Sequence, residues 1–299
     1  MPTAQDHLLN LLRDHDWVIA AWYDDPADPK EIHVVRNAAT SSTNLNMPAF
    51  LSALHLVEHT QQRFQTLIAP ANFRDPHLAT QQCQDEPIQL GCQIQPEKAD
   101  WVGTAGAPCS WLVEPNERHY GILSNWHVMA DGFEHVNRTI HQPTTALPTM
   151  AKLAYWKSVD SIANNTHDSA LADAKIGDFH TISQRILLIG PLDPVPSNAN
   201  VGLAVCKCGR TTGFTHGRCS AIGAAVRVGY GDFTATFIDQ DVFATDDQTF
   251  SAPGDSGSLI VTQAAHSPVA LLFAGNGQLT IGNPIRYIVD AFNLSFSLK

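Results

Sequence analysis

The chain of 299 residues is poor in basic residues: 18 Lys and Arg face 29 Asp and Glu, leaving a net charge of -11. No Lys/Arg-rich run relieves that balance. Phosphate-driven nucleic-acid binding and attachment to anionic membranes both need such a surface, so neither partner is expected. No uninterrupted apolar stretch reaches the length that crosses a bilayer. The first residues, MPTAQDHLLNLLRDHDWV, set Asp6, Arg13, Asp14 and Asp16 among the leucines, unlike the basic-then-apolar layout of an export signal. The expectation is a soluble cytoplasmic protein.

Metal-binding patterns are missing too. The six cysteines (Cys83, Cys92, Cys109, Cys206, Cys208 and Cys219) include no CxxC pair, and no HExxH occurs. No metal or cofactor is expected. Without an export signal the thiols read as reduced and structural. Alternation of strand and helix is absent, as are a repeat of fixed period and a low-complexity linker.

What is present is an apolar share of 44%, enough for a globular core. Residues 6–15, DHLLNLLRDH, gather Leu8, Leu9, Leu11 and Leu12 on one helical stripe. WVIAAWY and IHVVRN read as strands around the turn DDPADPKE. Residues 47–68, MPAFLSALHLVEHTQQRFQTLI, read as a second helix, with Pro48 in its first turn. After about residue 85 short β-rich runs alternate with Gly-rich turns, which predicts a sandwich or barrel. The organisation is therefore an α+β extension over 1–84 and an all-β unit over 85–299.

Three segments carry chemistry. GILSNWHVMA offers His127 at the end of an apolar run. NTHDSALADAKI offers Asp168, and of the acidic residues nearby (Asp160, Asp173, Asp178) only Asp168 leads into a small-apolar alternation. SAPGDSGSLIV offers Ser256 in a Gly-rich turn ahead of an aliphatic strand. Each is weak alone, since the chain has 14 histidines. Together they supply what serine hydrolysis needs: a nucleophile, a base and a group to orient that base. An α/β-hydrolase elbow is excluded, because Ser258 stands where G-x-S-x-G requires glycine and only His266 follows closely.

LSNWHV, HDSALA and PGDSGS, in this order, resemble the catalytic segments of chymotrypsin-like (trypsin-fold) serine proteases. CGRTTGFTHG and FIDQDVFAT resemble an intracellular bacterial and fungal subgroup of trypsin-like peptidases with a long N-terminal extension. The resemblance covers about residues 85–290. It implies a double six-stranded Greek-key β-barrel and a serine endopeptidase acting through an acyl-enzyme. His127 is then the general base and Asp168 its orienting partner. Ser256 is the nucleophile, and the N–H groups of Gly254 and Ser256 form the oxyanion hole. Phe250 falls at the floor of the substrate pocket, lined by Phe273, Ala274 and Gly275. That implies cleavage after small or apolar residues rather than after Lys or Arg.

Asp255 is expected to accept bonds from nearby backbone or a basic side chain, and activity to need no N-terminal processing. The partner is a protein or peptide substrate, with residues 1–84 either a collar on the barrel or a dock for a regulatory protein. A protease-fold binding protein and a hydrolase of small esters are the alternative readings.

Overall fold

The computed structural model describes residues 3–40, 54–71, 88–114, 117–131, 134–147, 149–174, 182–245 and 249–298. The N-terminal region holds α1 (Ala4–Asp14), β1 (Val18–Tyr23), β2 (Glu31–Asn37) and β3 (His55–Gln61), then β4 (Phe64–Thr66) and β5 (Ala69–Pro70). A first barrel group follows: β6 (Ile88–Leu90), β7 (Gln93–Pro96), β8 (Trp101–Thr104), β9 (Ala107–Glu114), β10 (Glu117–Ser124), α2 (Trp126–Met129), β11 (Thr139–His141) and β12 (Thr149–Lys157). After β13 (Asn164–Asn165) come β14 (Ser169–Asp173), β15 (Ile182–Ile186) and β16 (Gly190–Pro191). The second group is β17 (Ala204–Gly209), β18 (Gly213–Gly229), β19 (Thr234–Ala244), β20 (Leu259–Thr262), β21 (Pro268–Gly275), β22 (Thr280–Pro284) and α3 (Ile285–Phe292).

Both expected barrels form. In the second, β17 pairs with β18, β18 with β19, β19 with β22, β22 with β21, β21 with β20, and β20 back with β17, all antiparallel. That ring has no open edge, which removes the hazard of an unpaired strand. In the first, pairing runs β8–β7–β11–β12–β14–β10–β9. β8 and β9 are successive stretches of chain parted only by Ala105 and Gly106, and the bend there brings the two ends of the series together. A Cβ on Gly106 would stand 2.1 Å from the Gly257 carbonyl oxygen, so no larger residue fits the bend.

The N-terminal region joins the second barrel instead of standing apart. β1 pairs with β18 (Ala20↔Val226, Ala21↔Ala225), β2 with β1, and β3 runs parallel to β2. α1 lies over them because its leucines recur at helical spacing. Leu8, Leu11 and Leu12 are buried in one cluster with Val18, Ala21, Ile32 and Val34. Thr3 caps the helix: its hydroxyl accepts the Asp6 N–H, and the Asp6 carboxylate accepts the Thr3 N–H at 2.6 Å.

Two expectations are corrected. The second helix does not form: residues 55–61 and 64–66 are strands, while 47–53 lie outside the described residues. Leu54 and Leu56 pack on the α1 cluster at a period of two, and seven residues of β3 pair with β2, so tertiary pairing overrides the helical pattern. The thiols are not all reduced: Cys92 is disulfide-bonded, whereas Cys109, Cys206, Cys208 and Cys219 are free and buried. Among the described residues, no helix is long and apolar enough to cross a membrane.

One buried acid sets a pH dependence. Asp241 on β19 is 2% exposed, and its Oδ2 has no partner among the described residues. Burial raises its pKa to about 7; Arg286 opposes the rise and Asp239 adds to it. The folded state thus keeps a proton that the unfolded chain loses near pH 4, and stability falls as pH rises from there to about 7. Asp241→Asn should gain on the wild type across that window, by up to roughly 1.4 kcal/mol per unit, and level off above it. Urea unfolding of both proteins at pH 4 and pH 8 checks this; an equal difference at the two pH values contradicts it.

Candidate active site

The strand ends bring the three chemical residues together. β10 pairs with β14 through Leu123↔Leu171 and Ser124↔Ala170. His127 follows β10 within the one-turn α2, and Asp168 directly precedes β14. Asn125 Nδ2 donates to the Asp168 carbonyl at 2.8 Å, and Asn283 Oδ1 accepts the Asp168 N–H at 3.0 Å. Ser256 arrives from the second barrel on the turn before β20. Its carbonyl accepts the Thr104 N–H at 2.8 Å, which fixes the turn to the first barrel.

All three side chains are buried and form a continuous chain. His127 Nδ1 lies 2.5 Å from Asp168 Oδ2, and His127 Nε2 lies 2.8 Å from Ser256 Oγ. Asp168 Oδ1 accepts the His127 backbone N–H at 3.2 Å. A fourth group completes this chain. Tyr230 donates its hydroxyl to Asp168 Oδ2 at 2.7 Å and meets the His127 ring edge-on at 5.8 Å. Burial, reinforced by the Asp168 charge, holds the Tyr230 pKa well above its ordinary value, so the phenol stays a donor. A hydrogen bond to a charged group contributes about 1.5–3 kcal/mol. Tyr230→Phe should lower stability by about that amount in urea unfolding, since the aromatic packing is kept while Asp168 loses a donor. A loss below about 0.5 kcal/mol would show that the bond adds little beyond that packing.

Asp255 has the partners expected of it. Its Oδ2 accepts from Lys207 Nζ at 3.2 Å, Thr212 Oγ1 at 2.6 Å and the Ala252 N–H at 3.0 Å. Its Oδ1 accepts the N–H groups of Thr211 and Thr212 at 2.7 and 3.1 Å. Lys207 and Asp255 are wholly buried. This network folds residues 252–256 into a turn that aims two N–H groups in one direction. Gly254 sits at φ 106°, and a Cβ there would meet Thr211 Oγ1 at 2.2 Å, so both the angle and the space demand glycine.

The two N–H groups already hold a carbonyl. The Leu67 oxygen accepts from Gly254 N–H at 2.6 Å and from Ser256 N–H at 3.1 Å. Leu67 N–H donates to the Phe273 carbonyl at 3.3 Å and lies 2.9 Å from Ser256 Oγ. Before Leu67, Gln65 and Thr66 pair antiparallel with Gly275 and Ala274. After it, Ala69 and Pro70 pair antiparallel with Val102 and Trp101. Residues 64–70 therefore thread the cleft between the barrels.

The Leu67 side chain is 5% exposed and shares a buried cluster with Phe250, Phe243, Val205 and Ile260. A Cβ on Gly275 would touch Leu67 Cδ1 at 3.1 Å. Of the four expected pocket residues, Phe250 contributes its ring, while Ala274 and Gly275 contribute backbone. Phe273 contributes its carbonyl; its ring turns away onto Phe237, with 4.6 Å between centroids.

Sequence reasoning missed Tyr230, Lys207 and Leu67. Lys207 left a trace, as a single cation between Cys206 and Cys208 in an apolar strand. Tyr230 lies within GAAVRVGYG, where nothing separates it from an ordinary barrel aromatic. FQTLIAP carries no motif at all.

No family model matches the chain. Cellulomonas bogoriensis chymotrypsin is similar in structure, with a TM-score of 0.50 and 21% identity; the alignment covers 71% of this chain and 99% of that one. Nocardiopsis protease aligns with a TM-score of 0.51 and 17% identity, over 70% of this chain and 97% of the other. The chain thus has the fold of chymotrypsin-like serine proteases, two β-barrels with the three residues at their junction. In sequence it is 24% identical over 222 residues to Protein NARROW LEAF 1 of Oryza sativa subsp. japonica, an alignment over 64% of this chain. The chain spans only 37% of that protein's length.

Proposed function

We propose that the chain is a serine endopeptidase that works through an acyl-enzyme. The single observation that carries this reading is the unbroken chain Asp168–His127–Ser256, ending beside two backbone N–H groups that hold a peptide carbonyl. Ser256 Oγ is the nucleophile. His127 Nε2 takes its proton and later passes it to the leaving amine. Asp168 holds the tautomer in which Nδ1 carries hydrogen, and stabilises the imidazolium that forms. Gly254 and Ser256 N–H hold the oxyanion; one such donor contributes about 2.7–4 kcal/mol to the transition state in comparable enzymes.

The pocket with Phe250 at its base suits an apolar residue before the cut bond. Among the described residues its lining offers no carboxylate to a basic side chain, because Asp255 is committed to Lys207 and the turn.

Labelling with a fluorophosphonate tests the reading. Since residues 64–70 occupy the cleft, the probe is applied to the wild type and to Leu67→Asp, whose new charge is incompatible with an apolar pocket. Labelling of Leu67→Asp, abolished by adding Ser256→Ala, supports the protease. No labelling of either folded protein sinks it and favours a silent protease-fold binding protein.

A further inference from the structure

The segment in the cleft runs in one direction through every contact that a peptide substrate of this site needs. From Leu67 onward the side chains alternate as in a strand laid in a groove: Leu67 and Ala69 are buried, whereas Ile68 is part-buried and Pro70 exposed. On the acyl side, β4 lies between two neighbours, parallel to β18 at Val228 and Gly229 and antiparallel to β21. On the amine side, the two residues of β5 pair with β8, and the Ala71 N–H donates to the Asp100 carbonyl at 2.7 Å. The bond between these flanks is Leu67–Ile68. Its carbonyl oxygen sits on both N–H donors, and the Ser256 hydroxyl, backed by His127 Nε2, stands beside Leu67.

We propose that Leu67–Ile68 is a substrate of this chain's own Ser256, cut in cis, and that leucine is the residue the enzyme cuts after. This rests on the protease reading above. Ser256 Oγ bonds to the Leu67 carbonyl carbon as its proton moves to His127 Nε2. The Leu67–Ile68 C–N bond then breaks, and His127 gives that proton to the Ile68 nitrogen, which leaves as an amine. Water attacks the Leu67 ester and gives a proton to His127, which returns it to Ser256 Oγ. Leu67 ends as a carboxylate and Ile68 as a new amino terminus.

The acyl side is fixed by two strands and the amine side by β8, so both reacting groups are held in register. Holding both reacting groups in one chain makes the step unimolecular. Until the cut, the same residues close the cleft to any other peptide. The turn that builds the oxyanion donors needs nothing from the cut, because Asp255 is already satisfied by Lys207 and the 211–212 backbone.

Intact-mass measurement and N-terminal sequencing of the purified full chain over time test the proposal, with Ser256→Ala in parallel. The wild type should convert to fragments 1–67 and 68–299 at a rate unchanged across an about 100-fold dilution, while Ser256→Ala stays whole. Leu67→Asp should slow the cut at this bond at least about 100-fold, because a carboxylate must enter an apolar pocket. It should also admit the fluorophosphonate. A wild type that stays whole while Leu67→Asp labels overturns the cut and leaves the protease reading standing, with residues 64–70 only a plug. Cutting at another bond, or a rate that falls on dilution, also overturns it. Failure of every folded form to label removes the protease reading and the cut together.

Discussion

Asp168→Asn should slow acyl transfer by Ser256 roughly 10⁴-fold while leaving the fold intact. The size follows from which oxygen does what. Asp168 Oδ2 receives His127 Nδ1 at 2.5 Å and the Tyr230 hydroxyl at 2.7 Å, and Oδ1 receives the His127 backbone N–H at 3.2 Å. An asparagine must put its NH₂ at one of these places. At the Oδ1 position it would face the His127 N–H, donor against donor, inside a site with no exposure. At the Oδ2 position it faces Nδ1, and Tyr230 can turn to accept its other hydrogen. The second arrangement is the cheaper one, and it forces the imidazole proton onto Nε2, where the ring can no longer take the serine proton. The labelling rate of Leu67→Asp with and without Asp168→Asn reads the effect, and circular dichroism melting confirms the fold. A loss below about tenfold would mean that the tautomer is not held by this carboxylate.

The sequence made the barrels and the three chemical residues legible because each leaves a local mark. Barrel strands such as PVALLFAG are short apolar runs between turns, and Gly254 and Gly257 bracket Ser256 in a turn that few other residues could form. What it did not disclose depends on distant chain crossing a junction. Tyr230 reaches Asp168 only because β18 lies beside the end of the first barrel. Residues 55–61 read as helix until β2 is seen as their partner, since seven cross-strand pairs outweigh the local pattern. Leu67 has meaning only once β21, β8 and the Gly254–Ser256 turn surround it. The cleft occupant also bears on the expectation that activity needs no N-terminal processing. The Gly254 and Ser256 N–H groups converge in the intact chain, yet the Leu67 carbonyl already takes the space in front of them. On the protease reading, assembly and access are separate requirements, and only the first is met while residues 64–70 fill the cleft.

Lys207→Met should cost about 3–5 kcal/mol of stability, the largest loss expected from any single replacement outside the apolar core. Methionine fills the volume of the lysine stem, so packing changes little. What changes is Asp255, which is left as a wholly buried carboxylate with only neutral donors: the N–H groups of Thr211, Thr212 and Ala252 and the Thr212 hydroxyl. The carboxylate can relieve itself by taking a proton or by pulling the turn apart. Either outcome loosens the angle at Gly254 and the aim of its N–H, so acyl transfer falls with stability. Removing both charges in Lys207→Met/Asp255→Asn deletes the uncompensated group, and the double variant should be more stable than Lys207→Met alone. Urea unfolding of the four proteins in the cycle measures the coupling. If the double variant is no more stable than the single, the loss lies in packing or in the Lys207 bonds to Thr212 and the Gly213 carbonyl. If it recovers, the ion pair holds the Gly254–Ser256 turn from within the second barrel. A new amino terminus at Ile68 would then have no structural part to play in that turn, whose partners are already in place.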